Sequence, residues 1–169
     1  MNYFSEAATT ALKGLMYHRD LEDYMRFLGF ENLARLQRHR YLEESDMFAC
    51  LHRDYMRMTG KLLKFDNPAF DGIIPKSWYN YTKMDVDNST RRSALKSAFD
   101  LWYEWEKSVV SLHEKCAKDC AENGLYIQAT YFSRLAEEVS EELEMVERMR
   151  LELSMKDYDP AAALSLQEK

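Results

Sequence analysis

The chain has 169 residues, 46% apolar and 31% charged, enough to bury one full core, and it reads as a single domain over 1–169. Its formal charge of -6 argues against a nucleic-acid partner, because neutralising phosphates requires a basic face. The apolar residues are dispersed rather than gathered in one run, so neither a membrane span nor a secretory leader is expected, and the cytoplasm is the simplest location.

Gly numbers 5 and Pro only 3, whereas Leu, Glu, Met, Ala, Lys and Arg are plentiful, which predicts an all-α protein of long helices. The first helix is expected to begin after Ser5, a good N-cap, and to stop at Gly29. Its inward stripe would be Ala8, Ala11, Leu15, His18, Glu22 and Met25. A second helix is predicted from Phe30 to Thr59, with Gly60 as its stop. Apolar spacing of four and three gives it the stripe Phe30, Ala34, Gln37, Tyr41, Glu44, Phe48, Leu51, Tyr55 and Met58. That stripe turns Glu44 inward and leaves Glu43 and Asp46 outside.

Residues 60–88 hold two of the three prolines and two of the five glycines and read as a long ordered connection. A helix of about 30 residues is roughly 45 Å long, so a return along it needs about 13 extended residues or more. The connection is long enough to make that crossover, which would let the second and third helices run parallel. The third helix is predicted from a cap at Ser89 or Thr90 to Glu122, with Leu95, Ala98, Trp102, Trp105, Val109, Leu112 and Cys116 inward. After an Asn123-Gly124 turn, a fourth helix from Leu125 to Met155 would bury Phe132, Leu135, Val139, Val146, Met149 and Leu153, with Glu138 and Glu142 on or beside the seam. Asp159-Pro160 then looks like the cap and first residue of a short fifth helix, AAALSLQ.

The stretch YLEESDMFACLH, 41–52, raises the possibility of a metal site. Carboxylate-bridged iron pairs use Glu-x-x-His because three residues put both ligands on one helix face. No Glu-x-x-His occurs: Met47 follows Glu44 at that spacing, and the residues three before the four histidines are Leu15, Leu36, Ala49 and Val110. An inward Glu44 still needs a partner, either a salt bridge or solvated seam, or a metal. His18 with Glu22, four apart, and Glu106 with His113, seven apart, are read as exposed helix pairs, with metal binding the alternative. The scattered methionines are core filler. Cys50, Cys116 and Cys120 are odd in number with no CxxC spacing, so reduced thiols are expected. Asn80-Tyr81-Thr82 and Asn88-Ser89-Thr90 fit the N-glycosylation pattern but mean little without a leader. No Gly-framed Ser or Cys and no phosphate loop is present, so no catalytic or cofactor-binding residue is assigned.

From about Ser5 to Lys169 the chain resembles ferritin. SEAA at 5–8 is similar to the start of its first helix, ENLARLQRHRYLEESDM at 31–47 to its second, LKSAFDLW at 95–102 to its third and YFSRLAEEV at 131–139 to its fourth. The resemblance implies a ferritin-like four-helix bundle with a long crossover between helices two and three and a short C-terminal fifth helix. It also implies a hollow iron-storing cage of about twenty-four subunits. The ferroxidase centre carries over poorly. Glu44 matches a ligand glutamate, but Met47 falls at the histidine, Trp102 at the bridging glutamate, Glu138 at a glutamine and Met16 at the first iron-ligand glutamate. Glu44 and Glu138 thus stand as remnants of a metal site, with iron as the only implied cofactor. The surface where light-type chains nucleate mineral reads Arg35, Arg38 and His39 with only Glu43 and Asp46 acidic, and the threefold channel would be lined by Gln128 and Tyr131. The expectation is a subunit without ferroxidase activity that contributes structure to an iron-storage cage and co-assembles with a catalytic chain. Two alternatives stand beside it: a ferritin-fold interaction or storage protein that no longer handles iron, and a di-iron oxidase using His18 and Glu22.

Overall fold

The structure, a computed structural model, describes residues 2–166. Every regular element among them is helical: α1 Tyr3–Leu28, α2 Glu31–Thr59, α3 Asn88–Glu122, α4 Tyr126–Met155 and α5 Pro160–Leu164, with two short 3-10 turns at Lys76–Asn80 and Lys83–Asp85. Among the described residues no helix is long and apolar enough to cross a membrane. The helices sort into two compact units, Met1–Arg91 with Pro160–Lys169, and Arg92–Asp159.

In the first unit, α1 is capped by Asn2 rather than Ser5. The Asn2 side chain accepts from the Ser5 N–H at 3.4 Å, which makes Ser5 the third helical residue instead of the cap. Gly29 closes the helix at φ 90°, a left-handed conformation that glycine takes without the steric cost of a Cβ. Its N–H and that of Phe30 satisfy the carbonyls of Arg26 and Met25, and the chain turns directly into α2. α2 runs back antiparallel to α1, with Phe4 and Tyr55 in ring contact at 5.5 Å near one end and His18 hydrogen-bonded to Gln37 nearer the other.

α1 is buried more widely than its expected stripe, with Phe4, Ala7, Tyr17, Leu21, Tyr24 and Leu28 also inside. The connection after α2 covers part of that second face. The Asp66 N–H donates to Thr9 Oγ1 at 3.2 Å, Phe70 meets Tyr17, and the Ile73 N–H donates to the Asp20 carboxylate at 2.8 Å. Trp78 then packs edge-on against Tyr24 and Phe27. The contacts advance along α1 in its own direction, so the connection returns the chain to the end of the hairpin where α2 starts. There Asp87, not Ser89 or Thr90, caps the next helix, accepting from the Thr90 N–H at 2.7 Å. α5 belongs to this unit as well: the Asn32 amide donates to the carbonyls of Ala163 and Leu166. The helix ends at Leu164, short of the AAALSLQ expectation, and Gln167 lies outside the described residues.

The second unit is the antiparallel pair α3 and α4. Gly124, at φ 73°, permits the sharp reversal between them. Near the open end the Arg150 guanidinium bonds the Asp100 carboxylate at 2.7 Å and lies over the Tyr103 ring at 4.7 Å, while Arg92 pairs with Asp157 at 2.9 Å. Near the turn the rings of His113 and Phe132 stack at 6.2 Å. All six predicted core residues of α4 are buried, as are Leu95, Ala98, Trp102, Val109 and Cys116 of α3.

Candidate polar interior of the two units

The clearest feature of chemical interest is a set of seven buried polar side chains: His18, Glu22, Gln37, Arg40 and Glu44 in the first unit, Glu106 and His113 in the second. Glu44 is 4% exposed, as its place in the helical stripe predicts, while Glu43 and Asp46 lie outside the core. The residue of α1 that admits it is Gly14. A Cβ at Gly14 would stand 2.7 Å from Glu44 Cδ and 2.8 Å from its Oε1, so the carboxylate occupies the space an alanine methyl would fill. A glycine in the middle of a helix costs roughly 0.5–1 kcal/mol against alanine, and here the missing side chain lets the Glu44 carboxyl group enter a close-packed seam.

His18 lies one turn further along α1. Its Nδ1 donates to Gln37 Oε1 at 2.8 Å, the tautomer being the one a carbonyl acceptor selects. Burial drives the His18 pKa down to about 3; the Gln37 bond works in the opposite direction, and the charge of Arg40 lowers it further. The histidine is therefore neutral at pH 7, and Arg40, 5% exposed, supplies a fixed positive charge close enough to be felt at the ring. Arg40 also bonds Glu43 on its own helix.

Glu22 is 1% exposed and ringed by guanidinium groups: Arg26 at 2.9 Å, Arg19 at 3.4 Å and Arg38 at 3.7 Å. His18 and Glu22 are thus not an exposed helix pair. Both point inward, as the α1 stripe indicates, and each is engaged by a protein partner. The arginines keep their outer faces in water, which lets one buried carboxylate be neutralised without burying a second charge completely.

In the second unit Glu106 and His113 are likewise buried, which corrects the reading of them as an exposed pair. The stripe drawn through Trp105 and Leu112 follows a strict seven-residue repeat, whereas a straight helix of 3.6 residues per turn drifts by about 20° per heptad. Over the 35 residues of α3 that drift brings Glu106 and His113 inside and leaves Trp105 and Leu112 half-buried. Trp102 Nε1 donates to Glu106 Oε1 at 2.9 Å. His113 is held down at a pKa of about 4 by burial, and neither ring nitrogen has a hydrogen-bond partner among the described residues.

The other sequence-predicted positions fall outside the core. Glu138 is on the solvent side of α4, 57% exposed and ion-paired with Arg134 at 3.5 Å, so the seam placement is corrected; its neighbour Val139 is the buried residue. Glu142 and Met47 are half-buried. Met16, matched on sequence to an iron-ligand glutamate, is 40% exposed, and Gly14 rather than Met16 faces Glu44. Met58, expected inward, is 39% exposed. Arg35, Arg38 and His39 are exposed on α2, and Gln128 and Tyr131 are half-buried at the start of α4. The three cysteines carry free thiols, with Cys116 and Cys120 buried, and Asn80 and Asn88 are exposed.

The donor set does not fit an iron pair. Glu44 is a single carboxylate, and Trp102, matched on sequence to a bridging glutamate, is a donor already bonded to Glu106. Among the described residues no three His, Cys, Asp or Glu side chains form a group able to hold a metal ion. Comparison with protein-family models, with curated proteins and with solved structures gave no match.

Proposed function

We propose that the chain is a ferritin-like subunit without ferroxidase activity, in which the two hairpins form a four-helix bundle and copies assemble into a hollow cage where this chain is structural. The observation that carries the reading is the arginine cluster around the buried Glu22 carboxylate. Glu22 is ion-paired with three arginines, His18 Nδ1 is bonded to Gln37, and one oxygen of Glu106 is bonded by Trp102. A divalent cation entering the first unit would also meet the like charge of Arg40, and repulsion of that kind is strong where water is excluded. The connection running along α1 supports the topology, because it is the crossover that a bundle with parallel second and third helices needs. The ordered resemblances at 5–8, 31–47, 95–102 and 131–139 support the family.

Size-exclusion chromatography with light scattering tests the assembly. The expected result is a particle near twenty-four times the 20.0 kDa chain, alone or when co-expressed with a catalytic ferritin chain. A species that stays near 20.0 kDa in both preparations would favour an interaction protein that kept the fold and left the cage.

A further inference from the structure

We propose that His113 and Cys116 of α3 form a two-ligand site for a soft monovalent cation, Cu(I), inside the second unit. The two residues are three apart, which places them on one face of the helix with Cβ atoms about 5–6 Å from each other, and each is 1% exposed. His113 is the unusual member. A buried ring nitrogen is ordinarily bonded to a protein group or to ordered water, yet neither nitrogen of His113 has a hydrogen-bond partner among the described residues. The ring is held flat against Phe132 of α4, and burial keeps it neutral at pH 7, so one nitrogen presents a lone pair that no donor among the described residues takes up.

Cys116 supplies the second donor. Its thiol is not in a disulfide, and thiolate with imidazole is a donor pair that suits copper. Zinc is not served here, because it takes four ligands and no three His, Cys, Asp or Glu side chains among the described residues form a metal-holding group. Cu(I) is content with two donors set roughly in line. Charge selects the same pair. Cu(I) with one thiolate and one neutral imidazole sums to zero, and a buried site accepts a neutral complex far more readily than a charged one. Cys120, four residues beyond Cys116, is buried as well, but two thiolates around Cu(I) would leave a negative charge in the core, and burial together with the charge of Asp119 already raises the Cys120 thiol. Binding exchanges the Cys116 thiol proton for the cation and sends that proton to solvent, with no change of oxidation state.

Competition for Cu(I) against bicinchoninate, without oxygen and with a reductant present, tests this on the full chain. The protein should withdraw a single Cu(I) per chain from the chelator, with an affinity that rises about tenfold per pH unit near neutrality because one proton leaves. Cys116→Ser should weaken binding at least about 100-fold and His113→Leu at least about tenfold, while Cys120→Ser and Cys50→Ser stay within about threefold. Copper K-edge absorption on the loaded, unsubstituted protein needs no variant to fold, and it should show one sulfur and one nitrogen neighbour. No withdrawal of Cu(I), two sulfur neighbours, binding that survives Cys116→Ser or His113→Leu, or binding lost in Cys120→Ser or Cys50→Ser would each overturn the proposal.

Discussion

Acidification from pH 7 to 5 is expected to remove about 4 kcal/mol of stability through two histidines alone, roughly half from each unit. His18 and His113 titrate in the folded protein at about 3 and 4, and in the unfolded chain near 6.5. The unfolded state therefore binds more protons throughout the interval, so the stability is fully present above pH 6.5 and is lost as pH falls toward 4. At pH 5 each unfolded histidine is favoured by about 1.5 pH units, or about 2 kcal/mol. Chemical denaturation followed from pH 7.5 to 4.5 should show this slope. His113→Leu should flatten its share, because the ring makes no hydrogen bond that leucine would forfeit, and at pH 7 that variant should be as stable as the parent or more so. A midpoint independent of pH between 6.5 and 5 would mean that one or both rings reach water.

The second large effect is a change of sign at Gly14. In an ordinary helix interior, Gly→Ala stabilises by about 1 kcal/mol. Here the added methyl would collide with the Glu44 carboxylate, and displacing a buried charge from its setting costs several kcal/mol if no new partner is found. The carboxylate is at the far end of a flexible side chain and can yield a little, so Gly14→Ala is expected to destabilise by about 2 kcal/mol. In a Glu44→Ala background the same substitution should stabilise, by about 0.5–1 kcal/mol. The double-mutant cycle should give a coupling of about 2–3 kcal/mol, measured by urea denaturation of the four proteins. Additive effects at the two positions would show that the carboxylate is not seated against the glycine.

Helix count, order and approximate ends were legible because they rest on local signals. Sparse glycine and proline, the glycine stops and the spacing of apolar residues are properties of adjacent sequence, and they placed α2 and the core of α4 closely. The starts of α1 and α3 were misjudged by a few residues because two good capping residues compete at each, Asn2 against Ser5 and Asp87 against Ser89 or Thr90, and the choice depends on what packs around them. Glu44 was found because it lies on a regular stripe. Arg40 was not, since it lies one turn from that residue without fitting the four-and-three alternation. Glu106 and His113 were put outside because a seven-residue repeat was extended over a helix too long to keep it. Gly14 escaped because its meaning lies in Glu44, thirty residues away. Glu138 was drawn to the seam by its neighbour Val139, and a single residue of rotation, 100° around a helix, carries a side chain from core to solvent.

Buried carboxylates that bind metal must be held near one another and left with lone pairs to give. Glu22 instead directs its oxygens at arginines, and Glu138 pairs with Arg134 in water. Iron would have to displace charge-assisted bonds of the stronger kind before it could bind at Glu22.

The most direct test of the central claim is the initial rate of Fe(II) oxidation in air on the purified protein, followed by near-ultraviolet absorbance. The predicted rate equals that of buffer alone and is unchanged in Glu44→Ala. A rate well above buffer that Glu44→Ala abolishes would contradict the account and establish Glu44 as a working iron ligand.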